Sequence, residues 1–403
     1  MRRALRAATL ALALVGCTKN DAVDFLMRSA PRAEAPPTSP TRVGDRLLLA
    51  GDLHCHVLPP DAPYHVSREL PATVELATRE RLDFVVLTPH VPARFFADPA
   101  ERRWVVRTQR ELRARLAATR RPEGAPLFVP GFEYTDHRYG HVGGGFGDVE
   151  ATLADLDRAG TDLEARPEAF FERWVARGGL LVVNHPVQLP MRDGPVLALR
   201  YDMSFRALLG LPAPPEMRWV AEHAQAYETF NASISFLRDL AFYGDEARST
   251  RGASHLLDVA ARARGAAGVP LAAAGGTDSH GHWLRATTWV LARARTEEAI
   301  RDAITEGRTC VGGPEACTLQ ARPAGDTAAP WRGVGEELPA GLEAIEVRAA
   351  GASPTALVVD GAVVRTILPT EEVRIAVRKD RCTLLRAVQG PSWSSHVRVG
   401  CAR

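Results

Sequence analysis

The chain has 403 residues, of which 46% are hydrophobic and 24% are charged, and its formal net charge is +2. This is the composition of an ordinary globular protein, and it excludes a disordered or collagen-like chain. The arginines are spread along the sequence rather than clustered, so a nucleic-acid-binding surface is not indicated. The length is sufficient for one large domain and a smaller one.

The first 43 residues predict export and a membrane tether. Three arginines accompany a short apolar segment, residues 7–15, which is too short to span a bilayer as a permanent helix. The segment ends in LVGC at residues 14–17, which resembles the bacterial lipoprotein box, with lipid attached to Cys17. The alternative is a plain secretory signal of residues 1–17 in which Cys17 carries no lipid. Residues 18–43 are a proline-rich linker, so we expect a lipid-anchored protein of the bacterial cell envelope whose lipid is its only membrane contact.

Export places the remaining cysteines where disulfides persist. The last two strand-like runs of the chain are joined by a turn segment, and a hairpin there would bring Cys382 and Cys401 together at its open end. We therefore predict a Cys382–Cys401 disulfide. A bridge between Cys310 and Cys317 stays open, because sequence alone does not determine connectivity.

Short apolar runs alternate with helix-period segments through most of the chain, which is typical of β/α units and a parallel sheet. Seven runs are predicted strands, namely residues 47–53, 84–88, 127–133, 180–184, 226–230, 271–275 and 287–291. The predicted helices are residues 68–81, 100–120, 167–177, parts of 234–264, and 297–306. Periodicity leaves open whether the units close into a barrel or form an open sheet.

Two segments depart from this alternation. Residues 190–222 are rich in proline, methionine and arginine and lack a clear period, which predicts a long loop over the site. After residue 312 the pattern changes to shorter strands separated by turn signals, which predicts a small all-β, sandwich-like domain at residues 313–403. Its clearest strands are residues 344–348, 356–359, 373–377, 383–388 and 396–399. The preceding α/β domain covers residues 44–312.

Metal-binding side chains collect at the carboxyl ends of the predicted strands, where both architectures bind ligands. The first run ends in GDLHCH at residues 51–56. In an extended backbone His54 and His56 point to one face and can hold one ion, whereas Cys55 points away. Seven more such residues lie at strand ends or just beyond, namely Asp61, His90, Glu133, His141, His185, Asp278 and His280. Each alone has an ordinary explanation as a cap, turn or loop residue, but together they indicate a multinuclear metal site.

Four of these motifs resemble, in order, those of the PHP (polymerase and histidinol phosphatase) family. They are GDLHCH at residues 51–56, LDFVVLTPH at 82–90, NHP at 184–186 and GTDSH at 276–280. The similarity covers about residues 47–312 and implies a distorted seven-stranded (β/α) barrel with up to three metal ions. AYETFN at residues 226–231 and the trailing β domain look closest to the carbaryl-hydrolase-like branch.

The resemblance also implies how the ligands are shared. One ion would be held by His54, His56, Glu133 and Asp278, and the same four residues would be the catalytic ones. A second ion would be held by Glu133, His141 and His185, and a third by Asp61, His90 and His280. The family usually has Asp directly before the histidine of its second motif, where this chain has Pro89, so we expect the third ion to be weaker or absent. Four residues are second choices as ligands, namely His65, Asp136, His137 and His282.

Mixed imidazole and carboxylate ligands suit Zn, Mn or Fe better than Ca or Mg. Two ions bridged by Glu133 would lower the pKa of a shared water and produce hydroxide at neutral pH. We therefore predict a metal-dependent hydrolase with two or three divalent ions and a small-molecule substrate. A phosphoester is the leading substrate, and a carboxylic ester, amide or carbamate is the alternative that the carbaryl-hydrolase-like resemblance favours. A different class of function is a non-catalytic, surface-tethered binding protein.

Arginines in the covering loop are candidates for clamping an anionic group of the substrate, namely Arg192, Arg206 and Arg218. For any one of them, a solvated loop charge is the alternative. The oligomeric state and the identity of the substrate do not follow from the sequence.

Overall fold

The computed structural model describes residues 41–63, 66–136, 138–186, 215–232, 246–265, 267–281, 283–351 and 353–401. Seven α-helices lie within these ranges: α1 (Leu70–Arg79), α2 (Pro99–Ala118), α3 (Val149–Arg158), α4 (Glu168–Ala176), α5 (Pro215–His223), α6 (Glu246–Gly265) and α7 (Glu297–Thr305). Helices α1, α2, α4, α6 and α7 lie where the periodicity predicts helix. Within the described ranges, none of the helices combines the length and the hydropathy that crossing a membrane requires.

Several helices begin at residues that cap their first turn. Asp98 accepts a hydrogen bond from the backbone N–H of Ala100 at the start of α2. Thr296 does the same for Ala299 at the start of α7. Such side chains satisfy N–H groups that have no partner within the helix. Local sequence therefore sets these boundaries.

The first sheet carries the strand from which the predicted site begins. Its strands in this part of the chain are β1 (Thr41–Val43), β2 (Arg46–Cys55), β3 (Phe84–Leu87), β5 (Leu127–Pro130), β11 (Thr288–Ala292) and β12 (Thr309–Val311). Strand β2 pairs in parallel with β3, which pairs in parallel with β5. On its other side β2 pairs antiparallel with β11, which continues to β12. The carboxyl ends of β2 and β3 consequently lie at the same edge.

The second sheet supplies most of the other site residues. Its strands are β4 (His90–Val91), β6 (Phe132–Asp136), β7 (Gly140–Gly145), β8 (Leu180–Val183), β9 (Ala226–Asn231) and β10 (Ala272–Gly276), in the order β10-β9-β8-β7-β6-β4. A parallel bridge between Cys55 and Ser279 brings the end of β10 to the end of β2. The α/β class is confirmed. The predicted strands are divided between two sheets, and the closed barrel stays a prediction.

The described residues after 312 form strands and one short 3-10 helix, Glu315–Thr318. The strands are β13 (Leu319–Pro323), β14 (Arg332–Gly333), β15 (Glu337–Leu338), β16 (Ala344–Ala349), β17 (Thr355–Val359), β18 (Ala362–Ile367), β19 (Glu372–Ala376), β20 (Thr383–Gln389), β21 (Ser392–Ser394) and β22 (Val397–Val399). Four of them form a separate sheet in the order β14-β13-β16-β19. The other six extend the first sheet, because β21 pairs with β12. The predicted boundary at residues 312/313 therefore falls inside a continuous sheet, and the division into two domains stays a prediction.

Two local predictions need correction. Residues 215–222 were expected in a loop but belong to α5, which buries Met217 and Val220; the rest of that segment, residues 187–214, lies outside the described residues. Two apolar side chains spaced three apart are too short a pattern to indicate a helix. The predicted strand 127–133 is two strands in different sheets, β5 and β6, and the first ends at Pro130, which has no N–H to donate.

Both disulfides considered from the sequence are present. Cys382 is bonded to Cys401, and Cys310 to Cys317. Strands β20 and β22 pair antiparallel next to the first of these bridges, as the hairpin prediction requires.

Candidate metal centre

All nine predicted ligand residues lie in one connected cluster. Strand β2 ends beside the first two histidines, and Asp61 follows in the next loop. Three ligand residues lie at the first or second position of β4, β6 and β7, and three lie just beyond the ends of β8 and β10. The cluster comprises His54, His56, Asp61, His90, Glu133, His141, His185, Asp278 and His280. Most of these side chains are buried. Residues separated by more than two hundred positions are therefore brought into one polar pocket.

Glu133 on β6 is the centre of this cluster. Its Oε1 lies 3.2 Å from Nε2 of His54 and 2.9 Å from Nδ1 of His141. The same oxygen lies 3.4 Å from Nε2 of His185. Its Oε2 lies 3.5 Å from Nε2 of His56 and 3.5 Å from Nε2 of His90. One buried carboxylate thus faces five imidazoles, an arrangement suited to bridging cations.

The charge state of Glu133 follows from these neighbours. Burial alone would raise its pKa, but its contacts with His141 and His54 outweigh burial and hold the pKa well below the usual range of a glutamate. Burial lowers the pKa of His141 to about 4, so this imidazole is neutral at pH 7. An ionised carboxylate and a neutral imidazole are the forms that bind a metal ion. For His54, burial would lower the pKa, but Glu133 and Glu228 outweigh burial and raise the pKa well above its usual value, so a bound ion would have to displace a proton.

Three side chains form a first group that could hold an ion: His54, His56 and Asp278. The Nε2 atoms of the two histidines lie 3.2 Å apart. Asp278 Oδ1 lies 3.5 Å from the first Nε2 and 3.3 Å from the second. The Asp278 backbone has a φ of 50°, in the left-handed region that non-glycine residues seldom adopt. Backbone strain of this kind is characteristic of functional sites.

A second group consists of Glu133, His141 and His185. Within the described part of the chain, Nε2 of His141 and Nδ1 of His185 are buried and have no hydrogen-bond partner. A buried polar atom without a partner costs about 1–3 kcal/mol. A bound cation could satisfy nitrogen atoms of this kind, so the residues present fit a metal centre.

The third group is His56, His90 and His280, with Asp61 behind it. Asp61 Oδ1 accepts a hydrogen bond from the backbone N–H of His90 at 2.9 Å and lies 2.8 Å from Nδ1 of the His90 ring. Asp61 Oδ2 lies 3.2 Å from Nδ1 of His56. Asp61 therefore contacts two imidazoles through their Nδ1 atoms. The geometry favours His56 as a ligand of the third ion, whereas the resemblance implied Asp61. Asp61 also places a carboxylate beside His90, the kind of group that is missing where the family's Asp is replaced by Pro89.

No family model matches the chain, and no curated protein matches it. The solved structures that match the chain include the following two. One is a two-domain protein from Bacteroides vulgatus containing a predicted PHP-like metal-dependent phosphoesterase; it is 15% identical, covers 91% of this chain and 100% of its own, and has a TM-score of 0.42. The other is an amidohydrolase from Chromobacterium violaceum with bound sulfate and no metal; it is 15% identical, covers 58% of this chain and 88% of its own, and has a TM-score of 0.27. Both TM-scores are low, so the function proposed below depends on the side chains of this chain.

Two buried carboxylates beside His54 were not predicted as site residues. Glu228 on β9 lies 3.0 Å from Nδ1 of His54. Asp52 accepts hydrogen bonds from the N–H groups of His54 at 3.0 Å and Thr277 at 2.9 Å, and burial raises its pKa to about 6. The sequence shows Glu228 as an acidic residue inside a predicted strand. Its role could not be predicted, because its partner His54 is 174 positions away.

The remaining candidates belong to none of the groups that could hold an ion, or lie outside the described residues. Arg218 is exposed on α5, and its substrate-binding role stays a prediction. Asp136 accepts hydrogen bonds from the Tyr134 hydroxyl at 2.7 Å and the Arg138 N–H at 2.8 Å, so it is engaged in a turn. Burial raises the pKa of Cys55 to about 12, which disfavours the thiolate that a metal would need. Outside the described residues lie Cys17, His65, His137, Arg192, Arg206 and His282.

Proposed function

We propose that this chain is a metal-dependent hydrolase that holds two or three divalent transition-metal ions, of the type Zn, Mn or Fe. The observation that carries the proposal is the buried Glu133 carboxylate, within 3.5 Å of nitrogen atoms of five imidazoles. Two of the ligand groups described above also share His56, and one contains Glu133 itself. Shared ligands of this kind favour ions close to one another.

The exposure of the cluster residues indicates the side from which a substrate would reach the metal centre. Bound ions would lower the pKa of a water molecule and polarise a substrate oxygen. The side chains of His90, His280 and Asp278 are the more exposed members of the cluster, at 22%, 18% and 15%. Glu133 and His54 are each only 1% exposed. Substrate would therefore approach from the side of the third group, while the buried residues hold the centre in place and exclude bulk water.

A phosphoester is the leading substrate class, because bound divalent ions would polarise its phosphoryl oxygen. The cluster and its immediate surroundings contain five carboxylates, namely Asp52, Asp61, Glu133, Glu228 and Asp278. Three divalent ions would exceed their negative charge and attract an anionic group, whereas two ions would leave no positive surplus. The second candidate is a carboxylic ester, amide or carbamate, which the resemblance of residues 226–231 to the carbaryl-hydrolase-like branch favours. A non-catalytic binding protein is the candidate of another class.

The test combines metal analysis with a hydrolysis panel of phosphomonoesters, phosphodiesters, aryl esters and carbamates. We expect two or three bound ions per chain, hydrolysis of a phosphoester, and a loss of about 100-fold or more in His54→Ala, because a ligand is removed. His223→Ala is the matched control, since this histidine is exposed on α5. Less than about one equivalent of tightly bound metal would refute the enzyme proposal. Cleavage of esters or carbamates, with no cleavage of any phosphoester, would refute the proposal of a phosphoesterase.

We also propose that the protein is exported and lipid-anchored through Cys17. The two disulfides support an oxidising compartment, because such bonds are rare in the cytosol. In a bacterial host, Cys17→Ser should move the protein from the detergent-extracted membrane fraction to the soluble fraction. An unchanged distribution would contradict the anchor.

A further inference from the structure

Glu228 occupies a fixed place behind His54. Its Oε1 lies 3.0 Å from Nδ1 of His54. Its Oε2 accepts hydrogen bonds from the backbone N–H of His185 at 2.6 Å and from Nδ2 of Asn231 at 3.1 Å. Glu228 is 2% exposed. Both oxygens of this buried carboxylate are therefore engaged by donors of the protein.

We propose that Glu228 is a positioning residue that fixes the proton of His54 on Nδ1 and presents Nε2 to the metal. The inference rests on the proposed function. An imidazole that binds a metal ion through one nitrogen keeps a single N–H on the other, and an ionised carboxylate only accepts. The nitrogen beside Glu228 must therefore carry the proton. The opposite nitrogen, Nε2, faces Glu133 Oε1 at 3.2 Å and Asp278 Oδ1 at 3.5 Å.

The alternative role for Glu228 is that of a direct ligand. Glu228, His54 and His185 also lie close enough together to hold an ion. The His54 nitrogen beside Glu228 is Nδ1, at 3.0 Å, whereas Nε2 is the nitrogen that faces Asp278 and His56. An ion held by Glu228 would also compete with the His185 N–H for Oε2. A carboxylate that accepts the second N–H of a ligand histidine orients the ring and raises its basicity.

The neighbouring strand is shaped to admit this carboxylate. Gly276 ends β10, and a Cβ at this position would collide with Glu228 Oε1 and with Cβ of His54. Nδ2 of Asn231 also lies 3.3 Å from Asp278 Oδ2, so it contacts both Glu228 and a predicted ligand. The Glu228 side chain, which extends from β9, thus lies against Gly276 of β10 and next to the first ligand group.

Metal affinity of the full-length protein tests this role. Zn²⁺ would be titrated into wild type, Glu228→Gln and Glu228→Asp in competition with a chelating dye. We expect affinity about 10–100-fold weaker in Glu228→Gln, because the neutral amide no longer stabilises the N–H of His54, and partial recovery in Glu228→Asp, which keeps the charge. Glu222→Gln is the matched control, since this glutamate is exposed on α5. NMR of isotope-labelled histidine in the Zn²⁺ form should show the His54 proton on Nδ1 in wild type.

Two results of this titration would overturn the inference. Equal affinity in wild type and Glu228→Gln would show that the carboxylate does not support the ligand. Loss of one whole ion from Glu228→Gln at saturating Zn²⁺ would make Glu228 a ligand. If Glu228→Gln does not fold, the NMR measurement on wild type decides, and a His54 proton found on Nε2 in the Zn²⁺ form would overturn the inference. A wild type that binds no Zn²⁺, by contrast, refutes the proposed function itself.

Discussion

Arg68 is a buried cation that connects two segments of the metal centre. Its Nη1 donates to the Ser279 hydroxyl at 2.8 Å, to the Trp283 carbonyl at 2.9 Å and to the Gly281 carbonyl. Its Nη2 donates to the carbonyl of His56 at 3.1 Å. One side chain thereby joins the backbone after β2 to the loop after β10. These two segments carry His56 and the residues that follow Asp278.

Replacing this side chain should destabilise the fold. In Arg68→Met several buried carbonyl and hydroxyl groups lose their donors, and we expect the free energy of unfolding to fall by about 3 kcal/mol or more. Urea denaturation of the metal-free protein measures this. Arg94→Met is the control, because that side chain is 76% exposed and pairs with Glu101. Similar losses in both variants would contradict a special role for Arg68.

At the scale of elements, the strands that could be predicted are those buried on both faces. Strands β3 and β8 read as continuous apolar runs, so the sequence alone locates them and the residues after them. Strand β7 could not be found in this way. Its sequence, GHVGGG, has a single branched apolar residue. Gly143 in it has no room for a side chain, because a Cβ would lie 2.6 Å from Oδ1 of Asn184.

The packing around β7 explains why its glycines are needed. Nδ2 of Asn184 donates to Glu133 Oε1 at 2.9 Å, and β7 itself carries His141. Gly143 thus makes space for a residue of the site, whereas Gly144 and Gly145 make space for the core side chains Phe132 and Val86. A single sequence shows a glycine-rich segment but not the neighbour that requires it. The same limit applies to Glu228, whose partner His54 is distant in sequence, and to β5 and β6, whose separation into two sheets is a tertiary property.

At the scale of the whole molecule, the C-terminal strands share their core and their buried charges with the α/β part. Val85 on β3 and Leu385 on β20 belong to one buried apolar cluster. Asp258 on α6 receives two hydrogen bonds from Arg386 on β20, both at 2.8 Å. Its Oδ1 also lies 2.8 Å from Nε2 of His396. A buried charged contact thus connects the two sides of the predicted boundary at residues 312/313.

This contact should make the stability of the protein dependent on pH in acid. Burial would raise the pKa of Asp258, but hydrogen bonds from His396 and Arg386 outweigh burial and hold the pKa well below its usual value. The folded-state pKa is then lower than the unfolded value of about 3.9. The ionised carboxylate therefore stabilises the fold above about pH 4, and this contribution is lost as the pH falls towards the folded-state pKa.

Asp258→Asn tests both parts of this argument. At pH 7 we expect a loss of about 3–5 kcal/mol in the free energy of unfolding, because the charge of Arg386 stays buried without its partner. Between about pH 4 and pH 2, stability should fall less in the variant than in wild type, since the titrating group is gone. Urea denaturation across this range measures both. Asp302→Asn, at a carboxylate that is 52% exposed, should match wild type. Parallel pH profiles for wild type and Asp258→Asn would show that this carboxylate does not couple stability to pH.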